Sequence, residues 1–151
     1  MTEKQNKKNN PKNMTFSNPL QDLVGYQLRR ASAAMLTHLG QGLSDIGLKI
    51  TETSVLVMIE ANPGMKQSDI GRVLGIKSAN MAPLVAVLSD RGLIKKKPLD
   101  GRSHGLHLSE EGKQVIRRIW DNIGNNEAWL TRNLSEEEKN LVARTLENIW
   151  K

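Results

Sequence analysis

Two short runs of this 151-residue chain carry side chains suited to a polyanion. The first is Lys77, Ser78, Ala79, Asn80, Met81 and Ala82. Short side chains at a helix start can reach base edges in a DNA groove; asparagine can pair with adenine through both halves of its amide, and serine can donate or accept. Lys77, just before them, is within reach of phosphate. The second run holds Lys95, Lys96, Lys97, Asp100, Arg102 and Ser103. Lysines there would contact phosphates and fix register, and an arginine at a hairpin tip suits a narrow minor groove. A solvated edge strand guarded by lysines against aggregation is the competing reading of the hairpin. Catalytic chemistry finds little support. His104 and His107 are three apart on an expected strand and so face opposite sides, which argues against a shared metal. No Ser–His–Asp spacing, phosphate-binding glycine loop or carboxylate pair stands out, and no catalytic residue, metal site or cofactor is expected.

Charge agrees with the first reading. The net charge is +6, and residues 65–109 hold eight basic residues against Asp69, Asp90 and Asp100. Residues 1–16 add four lysines against Glu3, while the remaining segments are net acidic. A basic balance concentrated in one internal segment and one tail suggests a polyanion partner, against the alternative of an ordinary solvated surface, and the two runs above make double-stranded DNA the expected one. The absence of cysteine excludes disulfides, thiolate metal sites and thiol redox chemistry. No apolar run approaches the roughly 18 residues of a membrane span, and no secretory signal is evident, so a cytoplasmic protein without a membrane partner is expected.

The elements that would position these residues follow from periodicity and punctuation. Residues 1–16 read as a disordered basic arm. A long helix is expected from near Ser17, capped by Ser17 or Asn18 with Pro19 in its first turn; glycines 40, 42 and 47 weaken its far end. Thr51 is expected to cap a second helix that Asn62-Pro63-Gly64 stops. Two short helices follow, Gln67 to Leu74 and about Ser78 to Arg91, joined at Gly75 and closed by Gly92. Leu93–Pro98 and Ser103–Leu108 read as a hairpin around Leu99-Asp100-Gly101-Arg102. Ser109 caps the next helix, and Ser135 with Glu138 makes a capping box for the last. Residues 17–151 are expected to form one winged domain: 17–46 and 110–151 as dimerisation helices, 50–109 as a DNA-binding lobe. Leu141, Leu146, Ile149 and Trp150 give the last helix more apolar surface than one small domain should expose.

The run KSANMAPLVAVLSDRGLIKKKPLDGRSHGLHLSEEG resembles the signature of the MarR family. The matching residues are Leu88 to Ile94, Asp100 with Arg102 and Ser103, and Leu108, Ser109 and Gly112, and the likeness covers residues 17–151. It implies a mainly α fold: a winged helix-turn-helix with a small β-hairpin wing and N- and C-terminal dimerisation helices. It implies a homodimeric, sequence-specific regulator, with Asp100 supporting the wing turn while Arg102 contacts DNA. It also implies a small-molecule effector, often an aromatic carboxylate, and places Tyr26, Arg29, Arg30, His38, Met58 and Trp120 as candidate contacts. An arginine is the natural carboxylate clamp, and Arg29 and Arg30 diverge by about 100° on a helix, so one of the two is expected to serve. The stretches SANMAPL and DGRSHGLHLS are similar to the branch controlling catabolism of hydroxycinnamates and related aromatic acids. Two residues depart from the family pattern. Lys66 stands where a serine or threonine usually opens the third helix. Pro83 lies inside the recognition helix, or in its first turn if Asn80 is the cap. Two functions compete: a repressor released from a pseudo-palindromic operator by its effector, and an effector-independent or architectural DNA-binding protein of the same fold.

Overall fold

The computed structural model describes residues 17–100 and 103–151. Their elements run α1 (Val24–Ser44), α2 (Ile50–Ala61), α3 (Gln67–Leu74), α4 (Ser78–Asp90), β1 (Ile94–Asp100), β2 (Ser103–Leu108), α5 (Glu110–Leu130) and α6 (Glu136–Trp150). This is the mainly helical, winged helix-turn-helix order read from the sequence. The expected arm, and Gly101 and Arg102 at the wing tip, lie outside the described residues. The described chain divides after Ser32 into two compact units.

In the first unit, helix α1 begins seven residues later than expected. The Asn18 side chain accepts from the Leu20 backbone N–H at 3.1 Å, and Leu23 N–H donates to Leu20 O at 3.0 Å. This local turn satisfies backbone groups that a helix would otherwise recruit.

In the second unit, α1 runs on through Gly40 and Gly42 to Ser44. Gly42 is where α5 closes on α1: a Cβ there would sit 2.1 Å from Asn122 Oδ1. The cap of α2 also differs from expectation. Lys49 is its first flanking residue, and the Glu52 carboxylate accepts the Lys49 N–H at 3.0 Å, with Thr51 already inside the helix. Ser109 behaves as read: its hydroxyl accepts from Gly112 N–H at 2.9 Å and donates to Gly92 O at 2.5 Å, fastening α5 to the start of the hairpin. Ser135 and Glu138 form the reciprocal box at the start of α6. The N–H of Ser135 holds the Glu138 carboxyl below the usual carboxylate range.

The core lies within the lobe spanning α2 to α5. Val55, Leu56 and Ile59 of α2 pack with Ile70 of α3, Met81, Val85 and Leu88 of α4, Leu106 of the hairpin and Ile116 and Ile119 of α5. The hairpin pairs Ile94 with Leu108, Lys96 with Leu106 and Asp100 with Ser103, and its register slips between Pro98 and Asp100. The link before α3 bridges the hairpin backbone. Gly64 N–H donates to Leu106 O at 2.8 Å, and Leu106 N–H donates to Met65 O at 3.0 Å. The two backbones meet through glycines: a Cβ on Gly105 would lie 2.5 Å from Gly64 O.

That contact generates a prediction. Gly105→Ala must push the wing off the Gly64–Lys66 link, and overpacking of this kind costs about 1–3 kcal/mol. Chemical denaturation should show the midpoint falling by that amount at unchanged slope; an unaltered midpoint would mean the wing is not held at this point.

Candidate nucleic-acid interface and effector cavity

Helices α3 and α4 form the helix-turn-helix. Gly75 adopts a left-handed conformation (φ 66°) at the end of α3, and Ile76 N–H closes back on Gly71 O at 2.8 Å. The helices touch at Gly71, where a Cβ would lie 2.8 Å from Met81 Cγ. Met81 is therefore a core residue, 1% exposed, and the expectation that it faces DNA is corrected. The reason is periodicity: Met81, Val85 and Leu88 are spaced i, i+4, i+7 and form the inward stripe of α4. Lys77, Ser78, Ala79, Asn80, Ala82 and Pro83 are exposed. Lys77 rather than Asn80 flanks the helix start, which leaves the Asn80 side chain without a capping bond. Pro83 then falls in the second turn and removes one donor to the Ala79 carbonyl.

The wing is fastened to the start of α3 by Asp100. Its Oδ1 accepts from Ser103 N–H at 3.2 Å and from the Ser103 hydroxyl, and its Oδ2 lies 3.7 Å from Lys66 Nζ. Asp100 thus makes the supporting contact that the resemblance implies for it, and Ser103, grouped with the DNA contacts in the sequence, is its partner. Lys66 was noticed only as a departure from a capping residue. Its side chain makes no cap and reaches the wing instead. The pleat divides the lysine triplet. Lys96 pairs with Leu106 and lines a recess of about 360 Å³ with Lys66, Gln67, Ser68 and His104. Lys95 and Lys97 pair with His107 and Gly105 and line a different cleft. His104 and His107 fall on opposite sides with them.

The candidate effector residues fall into separate surroundings. In the first unit, the Tyr26 hydroxyl accepts from Asn18 Nδ2 at 3.1 Å and from Arg30 Nη1 at 3.3 Å. Arg29 and Arg30 lie 5.4 and 5.9 Å from the Tyr26 ring centre, so both arginines attend one ring. The Asn18 and Arg30 hydrogen bonds lower the tyrosine pKa, and the two arginine charges add to the shift. In the second unit, His38 stacks on Trp129, centroids 4.3 Å apart and planes within 7°, and its Nδ1 lies 3.0 Å from Oδ1 of buried Asn126. Met58 lines an apolar cavity of about 220 Å³ with Leu39, Ile50, Thr53, Val57 and Ile123. The Thr53 hydroxyl, buried there, has no hydrogen-bond partner among the described residues. Trp120 is half exposed and donates from Nε1 to Glu60 at 2.7 Å, away from the Met58 cavity. Sequence reasoning missed Thr53, Asn126 and Trp129. The i, i+3 spacing of the last two on α5 was the available signal.

A helix-turn-helix followed by a basic two-stranded hairpin, with the start of its second helix exposed, defines a winged-helix DNA-binding protein. A sequence profile described as MarR family matches residues 46–103, from the end of α1 to the wing. The transcriptional repressor CouR, in a structure with a 23-mer DNA duplex, is 30% identical, with a TM-score of 0.81 over 87% of this chain and 95% of CouR. CouR bound to p-coumaroyl-CoA is 28% identical, with a TM-score of 0.78 over 89% of this chain and 96% of CouR. A regulatory protein described for the hcr operon of Thauera aromatica is 24% identical over 131 residues, covering 85% of this chain and 79% of that protein. The chain belongs to the MarR family, whose members are DNA-binding regulators rather than enzymes.

The corrected rotation of α4 separates two neighbours experimentally. Met81→Ala should cost about 2–5 kcal/mol of folding stability as a core truncation. Asn80→Ala, on the exposed face, should stay within about 0.5 kcal/mol. Denaturant titration of both variants checks this, and a stable Met81→Ala protein would contradict the packing.

Proposed function

We propose that the protein is a transcriptional repressor that binds a pseudo-palindromic operator as a homodimer and leaves it when a small aromatic acid binds. The observation that carries the DNA half is the exposed, short-chained start of α4 in one lobe with a basic wing. Ser78 and Asn80 address base edges, and Lys77 and Lys96 address phosphates. Asp100 and Ser103 hold the turn from which Arg102 enters the minor groove. Residues 1–16 serve as a basic arm on the phosphates, and the site of action is the cytoplasm. CouR, seen with DNA in one structure and with p-coumaroyl-CoA in another, supports both halves of the reading.

Dimerisation is assigned to α1 and α6. No residue of α6 is buried, and Leu141, Val142, Leu146, Ile149 and Trp150 all stand exposed. Covering such a stripe favours a two-fold dimer, which sets half-sites about 34–36 Å apart. For the effector, each unit offers its own candidate. In the first, Tyr26 with Arg29 and Arg30 supplies acid-binding chemistry. In the second, the Met58 cavity is an uncharged recess sized for one ring. His38 and Trp120 are already engaged, by Trp129 and Asn126 and by Glu60, and act as supports.

Fluorescence anisotropy on the protein's own promoter and on a random duplex tests the reading. The promoter should be preferred, with affinity falling steeply in salt. Asn80→Ala should lose about 1–3 kcal/mol on the promoter and little on random DNA. Ile149→Asp should yield monomers by ultracentrifugation and lose the preference. p-Coumarate or its CoA thioester should weaken promoter binding about 5- to 150-fold, and DNA should weaken effector binding by the same factor. Equal affinity for both duplexes would favour an architectural protein, and effector affinity identical with and without DNA would remove the switch.

A further inference from the structure

We propose that the cleft behind the wing is a second ligand site, taking a small molecule with a phosphate group on an apolar body. The cleft measures about 820 Å³ and lies between the outer face of the hairpin, the end of α2 and the first turns of α5. Four cations line it from two elements: Lys95 and Lys97 from β1, Lys113 and Arg117 from α5. Its two acids do not balance them. Glu110 takes Lys113 at 2.8 Å, and Glu60 keeps its charge while accepting the Trp120 indole N–H at 2.7 Å, so cations outnumber acids four to two. Lys95, Lys97 and Arg117 make no ion pair among the described residues. The floor is apolar, from buried Ile59 and Ile116 with Leu108.

Like charges brought together over a low-dielectric wall focus their field into the recess. The Glu110 carboxyl registers that field: the Lys113 hydrogen bond and charge pull it below the usual range, and the Lys95 charge adds to them. The charge pattern selects the ligand. Two ammonium groups on one strand and a guanidinium on the facing helix offer donors from two sides. A tetrahedral dianion uses such an arrangement better than a planar monocarboxylate does. The apolar floor gives a ring or chain on the same molecule something to cover. The position argues for a small molecule over the DNA backbone. Lys95 and Lys97 lie on the face of the hairpin opposite Lys96, which lines the recess at the start of α3. The site is also distinct from the Met58 cavity, with which it shares no lining residue.

Calorimetry with phenyl phosphate on the full-length, DNA-free protein tests the proposal, with inorganic phosphate and benzoate as comparisons. Phenyl phosphate should bind saturably, one per chain, and about fivefold or more tighter than either comparison, because inorganic phosphate has no ring to cover the floor and benzoate offers a planar monoanion in place of a tetrahedral dianion. Lys97→Ala and Arg117→Ala should each weaken it about tenfold, as loss of one charge-assisted contact implies, with Arg117→Lys recovering part. Unchanged melting temperatures would show that the variants fold. Met58→Ala, which alters the effector cavity, should leave phenyl phosphate binding unchanged, so failure here is separable from failure of the effector reading. Absence of saturable binding, or binding indifferent to both charge variants, would overturn the proposal. So would a reduced salt slope for promoter binding in Lys97→Ala and Arg117→Ala without phenyl phosphate binding, since the cleft would then serve DNA phosphates.

Discussion

The rotation of α4 about its own axis depends on Met81 lying under Gly71. The glycine lets the two helices of the helix-turn-helix approach until a Cβ would collide with the methionine side chain. With Met81, Val85 and Leu88 turned inward, a period of about 3.6 residues puts Ala79, Pro83 and Ala86 on the opposite face and Asn80 and Val87 on its flank. The outward face is therefore built of small or short side chains. That composition brings the helix backbone close to whatever it docks against. Pro83 is compatible with this placement because its ring faces outward, and the bond it removes is one of many along α4.

The wing depends on a similarly close contact. Gly105 opposite Gly64 allows the link before α3 to bridge the hairpin backbone, so the residues leading into α3 are tied to the wing. Lys66 of that link meets Asp100, which in turn holds Ser103. The ion pair is exposed and contributes little to stability by itself. What it does is tie the end of β1 to the residue before α3. The slip in register between Pro98 and Asp100 places Leu99 outside the regular pairing and bends the strand toward its tip. The strict alternation below the slip sorts the three lysines onto two faces. A basic run that looks uniform in sequence is thus two chemically different surfaces.

Much of this order was legible because its signals are local. A serine hydroxyl reaching an N–H three residues on is visible in Ser109 and in Ser135 with Glu138, and a left-handed turn is visible in Gly75 and Gly92. The failures have local causes as well. Asn18 makes its own turn and delays α1, although Pro19 reads well as a helix start. Glu52 caps α2 from within, so Thr51 looked like the better cap. Met81 sits next to exposed Asn80 and was grouped with it, although its spacing to Val85 and Leu88 belongs to the core. The effector candidates were the least legible. Residue type suggested arginine, tyrosine and tryptophan, but what each touches depends on distant chain. His38 meets Trp129 and Asn126, about ninety positions away, and the unpartnered hydroxyl belongs to Thr53.

One contact at a buried carboxylate bears on how regulation can work. Glu52 is 5% exposed and accepts the Lys49 N–H, and the Arg91 guanidinium lies 3.5 Å from the same oxygen. Arg91 flanks the end of α4 and also donates to Gly47 O at 2.8 Å. The end of the recognition helix is thereby tied to the corner between α1 and α2. The ion pair itself is half open to solvent, with the Arg91 side chain 36% exposed, and adds little alone. Sliding α4 against α2 would also have to open the shared core of Val55, Leu56, Met81, Val85 and Leu88. Disrupting such packing costs more than the roughly 1–3 kcal/mol typical of coupling between an effector and a distant site. On the repressor reading, then, the lobe from α2 to the wing moves as one body, and the effector acts on the spacing of the two recognition helices in the dimer. A static contact of this kind transmits displacement but does not itself switch, so the two-state element must lie elsewhere.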